Sequence, residues 1–99
     1  MNWVILMPKF LVVHVPFPTP TSLEEATPLL KRAAGSMTAD AYWVSSFCQA
    51  NAEGKAVRAY CRWDGTSVEA VRNAVAKLIP EMPVEGVYPL VTLDSGDFR

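Results

Sequence analysis

The chain holds one histidine, two cysteines and no glycine-rich loop, and each scarcity removes a class of function. With His14 as the sole histidine and no Cys-x-x-Cys or His-x-x-x-His spacing, no self-contained metal centre is written in the sequence. The glycines lie singly, so there is neither a phosphate loop nor a dinucleotide fingerprint, and no Gly-x-Ser-x-Gly elbow marks a serine hydrolase. Two cysteines and no N-glycosylation sequon give no disulfide framework, which points to a reduced, cytoplasmic setting. A net charge of -1 leaves no basic excess for nucleic acid. No run reaches the roughly 18 apolar residues that span a bilayer, so no membrane partner is expected. Met1 to Leu6 are apolar but lack the basic start and cleavage site of a signal peptide.

What remains is a small globular chain, 51% hydrophobic and 19% charged. It reads as an extension over 1–8, one domain over 9–94 and a loose tail over 95–99. Met1 to Leu6 supply either an added edge strand or a disordered tail. Lys9-Phe-Leu-Val-Val-His-Val15 is a β-branched run ended by Pro16, hence a first strand. Its alternation places Leu11, Val13 and Val15 on one face and Phe10, Val12 and His14 on the other. Thr21-Ser-Leu-Glu24 and Ser22-Leu-Glu-Glu25 are overlapping capping boxes for a helix with Leu23, Ala26, Leu30, Ala33 and Met37 as its apolar stripe. Pro28 predicts that this helix either kinks or begins later than its caps.

The most regular stretch follows. Tyr42 to Gln49 and Ala56 to Trp63 form a hairpin about Asn51-Ala-Glu-Gly54, with Val57, Ala59, Cys61 and Trp63 facing the core and Arg58, Tyr60 and Arg62 facing out. A turn centred near Glu53 sets Cys48 opposite Arg58 and Cys61 opposite Ser45, so the thiols share no face and form no disulfide. Thr66-Ser-Val-Glu69 caps a second helix with Val68, Val71, Val75, Leu78 and Ile79 as its stripe, and Val84 to Leu93 is a last strand held to an edge or a bulge by Pro89. The order predicts an α+β fold of the ferredoxin-like βαββαβ type, a four-stranded antiparallel sheet with two helices on one face.

Such a sheet leaves its second face bare. Phe10, Val12 and His14 are expected there with Arg58, Tyr60 and Arg62, a surface too apolar to stay wet, so face-to-face homodimerisation or a ligand cavity is expected, the plainer alternative being a monomer covered by the Met1 to Leu6 extension. His14, Arg58, Tyr60 and Arg62 are the candidate ligand-binding residues. The arginines would fork onto a small anionic ligand, and His14 would serve as a metal ligand or acid/base. The plainer alternatives are a histidine satisfied by one hydrogen bond and a solvated arginine face. Trp43 and Trp63 either line a cavity or fill the core, and Cys61 reads as a buried small hydrophobe.

Met7-Pro-Lys-Phe-Leu, Ala59-Tyr-Cys-Arg-Trp and Thr66-Ser-Val-Glu-Ala-Val-Arg, with the element order, resemble a bacterial family of small uncharacterised domains that includes a nickel-binding protein. The resemblance spans about Met7 to Leu93 and implies a ferredoxin-like dimer. It sets His14 on the family's histidine near the end of the first strand and Cys61 on its third-strand cysteine. Nickel is the cofactor it implies, although Leu78-Ile-Pro-Glu-Met-Pro offers none of the further histidines of the metal-binding member. The expected function is a homodimeric domain that binds a small ligand or weakly a metal. The competing expectation is a cofactor-independent isomerase or monooxygenase of the dimeric α/β-barrel type, with His14 as acid/base.

Overall fold

The structure is a computed structural model that describes residues 7–99, so the expectations for Met1 to Leu6 lie outside the described residues. Its elements are β1 (Lys9–His14), α1 (Leu23–Ala34), β2 (Ala41–Ala50), β3 (Ala56–Gly65), α2 (Val68–Leu78) and β4 (Val84–Pro89), followed by a short 3-10 turn at Ser95–Phe98. The strands form one antiparallel sheet in the order β2-β3-β1-β4. This is the ferredoxin-like α+β architecture, and the Pro89 strand takes the edge as its missing N–H requires.

Capping chemistry sets both helix starts. Of the two overlapping boxes at α1 the Ser22 box forms: its hydroxyl accepts from the Glu25 N–H at 3.1 Å, and the Glu25 carboxylate accepts from the Ser22 N–H at 3.3 Å. Pro28 neither delays nor ends the helix, which runs through it to Ala34. The carbonyl it deprives of a donor belongs to Glu24, on the exposed side where water can serve. At α2 the cap is Ser67, one residue after the expected Thr66, and its hydroxyl accepts from Ala70 N–H at 3.0 Å.

The two helices cover the sheet unequally. α2 buries Val71 and Val75 against a core of Phe10, Val12, Cys61, Trp63 and Val87. α1 buries only Ala33 and leaves Leu23 exposed, because it stands off the sheet and is held at its two ends. At the first end Thr21 and Ala56 exchange backbone hydrogen bonds of 2.9 and 2.8 Å. At the other, Arg32 donates from Nε and Nη2 to the Leu78 carbonyl at 3.2 and 3.0 Å and pairs with Glu81 at 2.6 Å.

The β2–β3 hairpin holds the main departure from the expected register. Both ends pair as expected from the turn: Ala50 faces Ala56 and Trp43 faces Trp63. Between them, irregularities at Gln49/Ala50 and Trp43/Ser45 shift the pairing by one, so Cys48 faces Ala59, Phe47 faces Tyr60 and Ser46 faces Cys61. Part of the cause is local to the turn, where the Asn51 side chain accepts from both Glu53 N–H and Lys55 N–H at 3.0 Å and Gly54 takes φ 77°. A one-residue shift turns every side chain over. Residues 45 to 49 therefore present Ser46 and Cys48 to the helices and Phe47 to the bare face, and the two cysteines share a face after all.

Candidate functional site

Turning Phe47 outward removes a large ring from beneath α1 and leaves small side chains in its place. The result is a cavity of about 460 Å³ between α1 and the hairpin. Its floor is Trp43, Ser46, Cys48, Ala59 and Cys61, and its roof is Ala26, Leu29 and Leu30. The volume lies in the range of small-molecule sites.

Polar groups in the lining are few: Trp63 Nε1–H, which also borders the space, has no hydrogen-bond partner among the described residues, and the others are linked. Trp43 Nε1–H donates to Ser46 Oγ at 2.8 Å, and the Ser46 hydroxyl donates to Cys61 Sγ at 3.0 Å. Burial pushes the Cys61 thiol up to about 11, so it is a neutral thiol at physiological pH. Cys48 is exposed and free. The carboxylates at the rim are already engaged, Glu25 by Ser22 and Glu81 by Arg32, and those hydrogen bonds hold both below the usual carboxylate range. The wall thus offers an apolar solute a dry surface and an anion no free cation.

The residues expected to form the site are not brought together. The β1–β3 pairing sets Val12 opposite Cys61 and Leu11 opposite Arg62, which places Phe10, Val12 and His14 on the helix-covered face. Arg58, Tyr60 and Arg62 do share the bare face, with Leu11 and Val13 in place of the residues expected there. The two faces of β1 are both apolar, so sequence alternation alone could not rank them; the neighbouring strand decides.

His14 is fully buried and its Nδ1–H donates to the Met82 carbonyl at 2.8 Å, while Nε2 has no partner among the described residues. Burial lowers its pKa, which keeps the ring neutral. It does not line the cavity, so an acid/base role there has no path to a substrate. Among the described residues no group of three or more His, Cys, Asp or Glu side chains converges, so the donors present do not fit a nickel site centred on His14.

Arg58 is committed within the fold. It donates from Nε to the His14 carbonyl at 3.0 Å, pairs through Nη2 with Glu85, and lies over the Tyr60 ring at 5.5 Å. Arg62 is less satisfied: its nearest carboxylate oxygen is Asp64 Oδ1 at 3.7 Å, and its buried Nε has no partner among the described residues. Around them Tyr42, Phe47 and Tyr88 stand exposed.

The sequence places a cavity on the bare face rather than beneath α1, because the observed one depends on the two bulges, for which neither alternation nor turn composition gives a signal. Trp43 and Trp63, expected to line a cavity or fill the core, both line it, and only the shifted register puts Ser46 between Trp43 and Cys61. Among the described residues no helix is long and apolar enough to cross a membrane. No family model, curated protein or solved structure matches the chain.

Proposed function

We propose that this chain is a cytoplasmic, non-enzymatic, homodimeric binding domain that takes a small, uncharged, largely apolar molecule beneath α1. The observation that carries the reading is the cavity of about 460 Å³ with an aromatic floor, small neighbours and rim carboxylates that are each already hydrogen-bonded. An apolar solute entering such a space gains by leaving water, at roughly 25 cal/mol per Å² of apolar surface buried. Support for the homodimer comes from the other face of the same sheet, which carries exposed Tyr42 and Phe47 on β2 and Tyr88 on β4, large rings of the kind that partners cover. A second copy would meet it with the same patch, as a two-fold interface requires.

The test uses Nile red, an uncharged fluorophore, on the whole chain. The dye should bind with one site per chain, and Ala26→Phe, which sends a ring from α1 toward the cavity, should abolish binding while the melting temperature holds. Equal binding by both proteins, or binding lost only in Phe47→Asp, would put the dye elsewhere and refute the cavity reading.

A further inference from the structure

The cavity beneath α1 has a length and a polarity as well as a volume. On β3 its lining runs from Ala56 to Trp63, about 23 Å at the rise of a strand. α1 roofs it from Leu23 to Ala33, about 15 Å at the rise of a helix. A space of about 460 Å³ spread over ~20 Å is a slot only about 5 Å across, the width of a thread of carbon atoms or of a flat ring on edge, since carbon atoms pack ~4 Å apart.

The two ends of the slot differ. Next to the hairpin turn it opens between exposed Thr19, Glu25 and Gly54. At the other end Ala33, Trp63 and Ile79 close it, none more than 4% exposed, and Glu81 on that border is paired with Arg32. The open end is a set of acceptors. Thr21 Oγ1 donates to the Thr19 carbonyl at 3.0 Å and Ser22 Oγ donates to Glu25 Oε1 at 2.9 Å, so both hydroxyl protons are spent while their lone pairs and the carboxylate still accept. Lys55 lies within electrostatic reach of Glu25 and is its counter-charge. Beside them Leu23, which also lines the slot, is 75% exposed and offers an apolar step at the entrance.

We infer that the slot takes an uncharged amphiphile with one unbranched alkyl chain and a hydroxyl head, the chain lying along α1 toward Trp63 and the hydroxyl donating at the mouth formed by Thr21, Ser22 and Glu25. The inference rests on the cavity reading above and names the class of molecule within it. Shape selects the chain, because a long narrow space with an apolar closed end is filled by a thread entering tail first. Chemistry selects the head: a hydroxyl brings the proton that the mouth accepts, whereas a carboxylate brings none and sets a second negative charge beside Glu25. An extended chain advances ~1.2 Å per bond, three backbone bonds spanning at most ~3.6 Å, so the roofed ~15 Å holds about twelve carbons.

The experiment is isothermal titration of the whole chain with straight-chain alcohols from hexanol to tetradecanol, each below its solubility limit. Affinity should rise about fourfold per added methylene, the equivalent of ~0.8 kcal/mol, and level off near dodecanol, where the roofed length is filled. Ala59→Leu puts a larger side chain into the floor ~10 Å from Ala56 and should bring the levelling-off back to about octanol. The series on the unaltered chain decides even where that variant does not fold. Decanol should bind at least about tenfold tighter than decanoate, and Glu25→Gln, which preserves the capping box, should narrow that gap. Affinity that climbs through tetradecanol without levelling off, or a gap that Glu25→Gln leaves unchanged, overturns the inference. Nile red bound in an Ala26-dependent manner while no alcohol binds also overturns it and leaves the cavity reading standing; failure of both ligands to bind overturns the two together.

Discussion

His14 shows how one buried titratable group makes stability depend on pH. Its folded-state pKa lies below the ordinary 6.5 because charging the ring would put a cation in the core. The unfolded chain therefore takes up a proton first as pH falls, and the stability present above about pH 6.5 is lost below it. His14→Asn keeps a donor for the Met82 carbonyl and has nothing to titrate. Its urea midpoint should change less between about pH 7.5 and pH 5 than that of the parent. An equal change in both proteins would assign the acid sensitivity to other groups. Cys61 gives the converse case at high pH. With its thiol pushed up to about 11 and only 4% of its surface exposed, it should resist alkylation at neutral pH while Cys48 reacts, a difference read by intact mass after brief iodoacetamide treatment. The burial of Cys61 was legible from its neighbours on β3. The environment of His14 was not, because both faces of β1 are apolar and only the pairing of Val12 with Cys61 distinguishes them.

The elements differ in what secures them. α2 is seated by Val71 and Val75, while α1 depends on its cap and on Arg32 at its end. Ser22→Ala should cost about 1 kcal/mol in urea unfolding, the usual worth of an N-cap side chain. Arg32→Ala should speed hydrogen exchange of α1 amides and leave those of α2 nearly unchanged, since the lost contacts go to the Leu78 carbonyl and Glu81 at the rim. Uniform acceleration in both helices would mean that they open as one unit. Helix starts and strand order could be read from local chemistry because caps, alternation and proline each act within a few residues. The register of β2 could not, since a bulge trades one pairing for another of similar local quality and is settled by how the far ends of the hairpin pack.

For the molecule as a whole, the sheet has one face under helices and one bearing Tyr42, Phe47 and Tyr88. Phe47→Asp puts a carboxylate on the bare face of the edge strand β2 and should give a monomer by light scattering with little change in melting temperature, because Phe47 is 68% exposed within its own chain. A dimer that survives the change would place the interface elsewhere. The same phenylalanine joins the two halves of the functional reading. In the register without bulges it would point beneath α1 and fill the space now bounded by Ser46 and Cys48; in the register observed it points outward. A solute under the helix and a second copy on the sheet both require the outward arrangement. If both parts of the proposal hold, the two events are thermodynamically linked through the register of five residues: each then raises the affinity for the other by the same factor, although the two partners touch opposite sides of the sheet.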